Sequence, residues 1–112
     1  LRYVQNTGAA FSLLEEYPYA VTILSVIALL VVLVYTVNNL TTLSMKAVFW
    51  SSLLMSGIFC NLYERIFLGY VRDFIQLTFV EFPIFNFSDM AINISVVAII
   101  ILLLHKNILK NI

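Results

Sequence analysis

Residues 20–37 read AVTILSVIALLVVLVYTV, an apolar run without a single charge, glycine or proline. A helix needs about 20 predominantly apolar residues to cross the hydrocarbon core of a bilayer. A soluble core of this size has no place to hide such a run, so it reads as a membrane-crossing helix. Just upstream, Glu15, Glu16 and Pro18 mark a helix start, because acids suit the positive end of a helix and proline suits its first turn. Asn38 and Asn39 end the run, and a polar loop leads on to Lys46.

Working outward, residues 47–63 (AVFWSSLLMSGIFCNLY) form a second expected span. Ser51, Ser52, Ser56, Gly57 and Asn61 interrupt it. Small and polar residues within a span face other helices and let them approach closely. A third span is expected at about 88–104, with Ser88 or Asn86 able to cap its start. Between these two, residues 66–87 (IFLGYVRDFIQLTFVEFPIFNF) are broken by Gly69, Arg72, Asp73, Glu81 and Pro83. Phenylalanines and β-branched residues across 74–80 predict short strands, lying with other aromatics at the headgroup level. Residues 1–19 predict short extended pieces around an Asn-Thr-Gly turn at 6–8.

Composition agrees with a bilayer as solvent. Of the 112 residues, 62% are hydrophobic and 11% charged, and mean hydropathy is +1.03. A soluble domain is about 45–50% apolar and about 25% charged. The formal net charge is zero, with no basic stripe of the kind that binds nucleic acid. Cys60 and His105 are the only residues of their kinds. That excludes an internal disulfide and a cysteine-built metal site, and it argues against a histidine-centred zinc site or a serine–histidine relay. No metal or cofactor is expected. Basic residues are evenly divided: Lys46, Lys106 and Lys110 on one side, Arg2, Arg65 and Arg72 on the other. The lysine side carries no acids and is the expected cytoplasmic face. The chain begins at Leu1 in a polar–aromatic stretch and reads as a fragment or processed form with a segment missing upstream.

Two carboxylates stand out. Asp73 lies in GYVRDF and Asp89 in FNFSDM, at the mouth of the third span and on the same side of the membrane. Ionisable groups at membrane depth are costly, which makes them candidates for function. Two carboxylates in contact cannot both ionise cheaply, so one retains a proton. The ionised one can then take a proton from water while the other donates to a scissile carbonyl. Gly57, Asn61 and Arg65 fall four apart on one helix face, and Asn86, Asp89 and Asn93 fall three and four apart on another. Two such faces at one depth could line a cleft. Each feature also has a plainer reading: an aspartate at the interface, asparagines as interhelical glue, Arg65 and Glu64 as a solvated end-of-helix pair, Cys60 as a small packing residue. Composition and spacing alone reach a small polytopic membrane protein and stop there.

The ordered blocks go further. Residues 6–12, NTGAAFS, resemble the Asn-x-Gly-Ala-Ala-Phe-Ser block of the lipoprotein signal peptidase (signal peptidase II) family. Residues 61–74, NLYERIFLGYVRDF, resemble its Gly-Asn-Leu-x-Asp-Arg followed by Gly-x-Val-x-Asp-Phe, and residues 82–89, FPIFNFSD, its Phe-Pro-x-Phe-Asn-x-Ala-Asp. The departures are four: Cys60 replaces a glycine, Glu64 an aspartate and Ser88 an alanine, and the family's first span has no counterpart.

The resemblance implies a membrane all-α protein. Its fold would be a polytopic helix bundle, three spans present and four in the full protein, with a small extracytoplasmic β-cradle. Residues 1–112 would form one membrane-embedded peptidase domain with spans at about 20–37, 47–63 and 88–104. The implied activity is an intramembrane aspartic endopeptidase of the bacterial cytoplasmic membrane, active at the extracytoplasmic face. It would cut diacylglyceryl-modified prolipoproteins on the N-terminal side of the lipid-bearing cysteine. The implied catalytic pair is Asp73 and Asp89, with Asn6, Gly8, Asn61, Arg65 and Asn86 binding substrate or orienting the pair. Partners would be prolipoproteins and membrane lipid, without nucleic acid or metal. The competing expectations are a non-catalytic polytopic protein or degenerate relative, and a small carrier or channel with the two aspartates as ion ligands.

Overall fold

The computed structural model describes residues 4–6, 17–73, 75 and 86–110. Three long helices dominate: α1 (Pro18–Asn38), α2 (Met45–Leu68) and α3 (Phe87–Lys110). Two three-residue strands, β1 (Val4–Asn6) and β2 (Val71–Asp73), pair antiparallel, with Val4 opposite Asp73, Gln5 opposite Arg72 and Asn6 opposite Val71.

Local chemistry sets most helix ends. Pro18 opens α1, where its missing N–H has no helical partner to lose. At the far end the Asn39 side chain donates to the Tyr35 carbonyl at 2.8 Å. Ser44 caps α2 by accepting from the Ala47 N–H at 3.1 Å. Gly69 ends α2 at a φ of +82° with its N–H on the Arg65 carbonyl, a left-handed position glycine occupies without a Cβ clash. The helix therefore runs past residue 63 through Glu64 and Arg65 and takes in residues 66–68, which the sequence alone placed at the start of the extended segment. Strand β2 begins only at Val71. Of the strands expected across 74–80, only Ile75 is among the described residues, and the turn expected at 6–8 lies outside them apart from Asn6.

Side-chain exposure is inverted relative to a soluble domain. Among the described residues the buried apolar side chains are Val21 and Leu62, whereas the buried polar ones are Thr36, Asn61, Asn86 and Ser95. Large apolar side chains line the outside of all three helices, for example Ile27 and Val34 on α1, Phe59 on α2 and Ile101 on α3. In water such a surface would aggregate, but in a bilayer it is the solvated face. All three helices are long and apolar enough to cross a membrane.

Helices α2 and α3 are antiparallel neighbours that cross at Gly57. A Cβ built there would lie 2.7 Å from Ile92 Cγ1 and 2.8 Å from the Ser88 carbonyl oxygen, so only glycine permits the approach. Cys60, expected as a packing residue, is instead exposed. Ser52 and Ser56 are exposed too, and their hydroxyls donate to the Val48 and Ser52 carbonyls one turn back. That bond satisfies a hydroxyl in hydrocarbon without a neighbouring helix.

Candidate active site

One turn beyond Gly57 on α2, Asn61 is buried against the start of α3. Its Nδ2 donates to Asp89 Oδ1 at 2.8 Å. Asp89 is fixed a second time by the helix start that carries it. Asn86 is the cap of α3: its Oδ1 accepts from the Asp89 N–H at 2.8 Å, and Asp89 Oδ2 accepts from the Asn86 N–H at 3.3 Å. This reciprocal arrangement is a capping box with aspartate in the third helical position. Both carboxylate oxygens of Asp89 are thus held by donors from two different elements. Asp89 also lies in the first turn of α3, at the positive end of the helix dipole. Of the two expected cap candidates, Asn86 does the capping, and Ser88 lies inside the helix with its carbonyl against Gly57.

Asn86 has a further task. Its Nδ2 donates to Asn61 Oδ1 at 3.2 Å and to the Arg72 carbonyl at 3.4 Å. The Arg72 carbonyl belongs to the peptide bond that leads into Asp73. The buried Asn86 amide therefore stands between the Asn61–Asp89 pair and the main chain of β2. Asp73 lies at the end of β2 with its Cα opposite Val4, and Asn6 lies in β1 opposite Val71. Arg65 is half-buried one turn beyond Asn61. Gly8 lies outside the described residues.

The two helix faces drawn from spacing meet only in part. Gly57, Asn61 and Arg65 do share one side of α2, and Asn86 and Asp89 do meet Asn61. Asn93 does not join them, since it is exposed. Glu64 pairs with Arg72: Glu64 Oε1 lies 3.3 Å from Arg72 Nη2, and Oε2 accepts from the Arg72 N–H at 2.8 Å. Sequence reasoning gave Glu64 no role at the site. The available signal was a carboxylate near the end of a helix, with a helix-ending glycine between it and the strand of Asp73.

Comparison with known proteins gives the family. Residues 1–105 match the family model of signal peptidase (SPase) II. The chain belongs to the signal peptidase II family. It is 40% identical over 103 residues to the lipoprotein signal peptidase of Streptococcus thermophilus, covering 92% of this chain and 67% of that protein. It is 39% identical over 101 residues to that of Fusobacterium nucleatum, covering 90% and 61%. It thus spans about two thirds of the length of these relatives. A bacterial membrane enzyme solved by the in meso method at 2.3 Å resolution superposes with a TM-score of 0.79 at 28% identity, over 96% of this chain and 66% of that one. A second, solved at 1.9 Å, gives 0.70 at 29% identity, over 93% and 68%. Family and relatives agree on a protease that removes signal peptides from prolipoproteins, and the three membrane-length helices make it a multi-pass membrane protein.

Proposed function

We propose that the full-length protein cleaves diacylglyceryl-modified prolipoproteins on the N-terminal side of the lipid-bearing cysteine, with Asp73 and Asp89 as an aspartic dyad. The observation that carries this reading is the Asn86 amide, which bonds to Asn61 beside Asp89 and to the peptide leading into Asp73. Such a bridge supports two carboxylates converging on one point at the mouth of α3. Asn61 and Asn86 then orient the pair, while Arg65, Asn6 and Gly8 contact the substrate backbone.

The chemistry follows from two carboxylates of unequal protonation. The ionised one takes a proton from water, whose oxygen attacks the scissile carbonyl. The protonated one donates to the carbonyl oxygen as the tetrahedral intermediate forms, and the amine leaves with a proton on collapse. Each proton transfer by a positioned group contributes about 10²–10⁴-fold. The site lies at the extracytoplasmic face of the bacterial cytoplasmic membrane, where an acylated cysteine would hold its peptide. Acyl chains lying along the apolar helices contribute about 0.8 kcal/mol per buried methylene. A fourth span upstream and a β-cradle built around β1 and β2 complete the enzyme.

The test is a gel-shift cleavage assay in detergent. The full-length protein is compared with its Asp73→Asn and Asp89→Asn forms on a diacylglyceryl-modified prolipoprotein. Cleavage should be lost in both variants while each remains folded in the membrane. Substantial cleavage by either variant removes the dyad. Absence of cleavage by the folded parent would point to a degenerate relative.

A further inference from the structure

We infer that Glu64 is a positioning residue for the reaction, holding the strand that carries Asp73 against the end of α2. The inference rests on the dyad reading above and adds to it a group outside the dyad and its asparagines. Among the described residues, strand β2 spans three residues and its partner β1 is equally short. A two-stranded ribbon of this size is marginal by itself. The main chain of Arg72 shows two further holds on it. The Arg72 N–H is taken by Glu64 Oε2 at 2.8 Å, and the Arg72 carbonyl by Asn86 Nδ2 at 3.4 Å. One residue is thus gripped by its donor from α2 and by its acceptor from the cap of α3. The next residue in the chain is Asp73.

The Glu64 carboxylate is suited to this task. It lies five residues before Gly69, which ends α2 and reverses the chain, so a short link brings residue 72 back alongside it. Its second oxygen meets the Arg72 guanidinium at 3.3 Å, which keeps the carboxylate turned toward the strand. The Arg72 side chain is 46% exposed, so this ion pair is screened and orients more than it stabilises. The main-chain bond to a charged acceptor is the stronger link. An aspartate displaced by about 1 Å can lose about 10²-fold in rate, and the grip on Arg72 guards against that displacement.

The test uses a matched pair in the full-length protein. Glu64→Gln keeps an acceptor oxygen at about the same reach, while Glu64→Met keeps length and volume without one. Initial rates on a diacylglyceryl-modified prolipoprotein give kcat and KM, and hydrogen exchange reports the amides of residues 70–73. Glu64→Met should lose about ten- to hundredfold in kcat, as expected for a hydrogen bond to a charged group. Its KM should change little, and exchange at 70–73 should rise. Glu64→Gln should recover most of kcat and of the protection. Arg72→Ala, which keeps the main-chain bond, should lose less than Glu64→Met. Equal kcat in the Gln and Met forms, or a loss confined to KM, would overturn the inference. Loss of activity in Asp73→Asn and Asp89→Asn with a fully active Glu64→Met would overturn it alone. Retained activity in the aspartate variants would instead overturn the dyad reading on which it depends.

Discussion

Asn61 on α2 and Asp89 on α3 are joined across the helix crossing by a 2.8 Å hydrogen bond, the amide Nδ2 donating to carboxylate Oδ1. The amide has little freedom to do otherwise, because its own oxygen accepts from Asn86 at 3.2 Å. Asn61 is buried, so no bulk water replaces a lost donor at low cost.

Replacing Asn61 therefore acts on both ends of this chain of bonds. Asn61→Ala leaves one oxygen of Asp89 without its donor and the Asn86 amide without one acceptor. We expect kcat to fall by about ten- to hundredfold. Asn61→Asp should fall further, because it sets a second carboxylate against Asp89. Initial-rate cleavage by the two purified variants decides the matter, and parental kcat in Asn61→Ala would contradict it.

Asn86 combines two tasks that substitution can separate. As the cap of α3 it needs only a side-chain oxygen, whereas the links to Asn61 and Arg72 need its amide hydrogens. Asn86→Ala should lower stability by about 1 kcal/mol through the lost cap, and cleavage with it. Asn86→Asp should keep most of the melting temperature in detergent and still lose activity. Equal melting of Ala and Asp forms would show that the cap contributes little.

Gly57 is the contact that lets the asparagines meet. Alanine there would improve helix propensity by about 1 kcal/mol. The added Cβ would nevertheless press on Ile92 Cγ1 at 2.7 Å and on the Ser88 carbonyl at 2.8 Å. Overpacking of this kind costs about 1–3 kcal/mol, so Gly57→Ala should melt at a lower temperature and cleave more slowly. Adding Ile92→Ala relieves only the side-chain contact, because the Ser88 oxygen belongs to the main chain. The double variant should therefore stay impaired, and full recovery would locate the strain wholly in the Ile92 side chain.

Much of this protein was legible in one dimension. A helix in hydrocarbon satisfies its main-chain groups within itself, so each apolar run could be read without knowing its neighbours. Pro18 at the start of α1 and the candidate cap Asn86 were local signals of the same sort. The ordered blocks around Asn6, Asn61, Asp73 and Asp89 carried the family, and its model matches residues 1–105.

What only the tertiary structure decided is which faces meet, and why. Spacing put Asn93 with Asp89, yet Asn93 is exposed, while Ser88 and Ile92 are the residues against Gly57. The close helix contact falls at Gly57 and not at exposed Cys60. Nothing in the spacing linked Glu64 to Arg72, and the glycine turn at 69 returns the chain so that Arg72 reaches it. Each of these depends on how two helices rotate and cross. A periodic pattern fixes the faces of a helix only to within a broad stripe, and the close fit of a glycine against a neighbouring backbone selects among them.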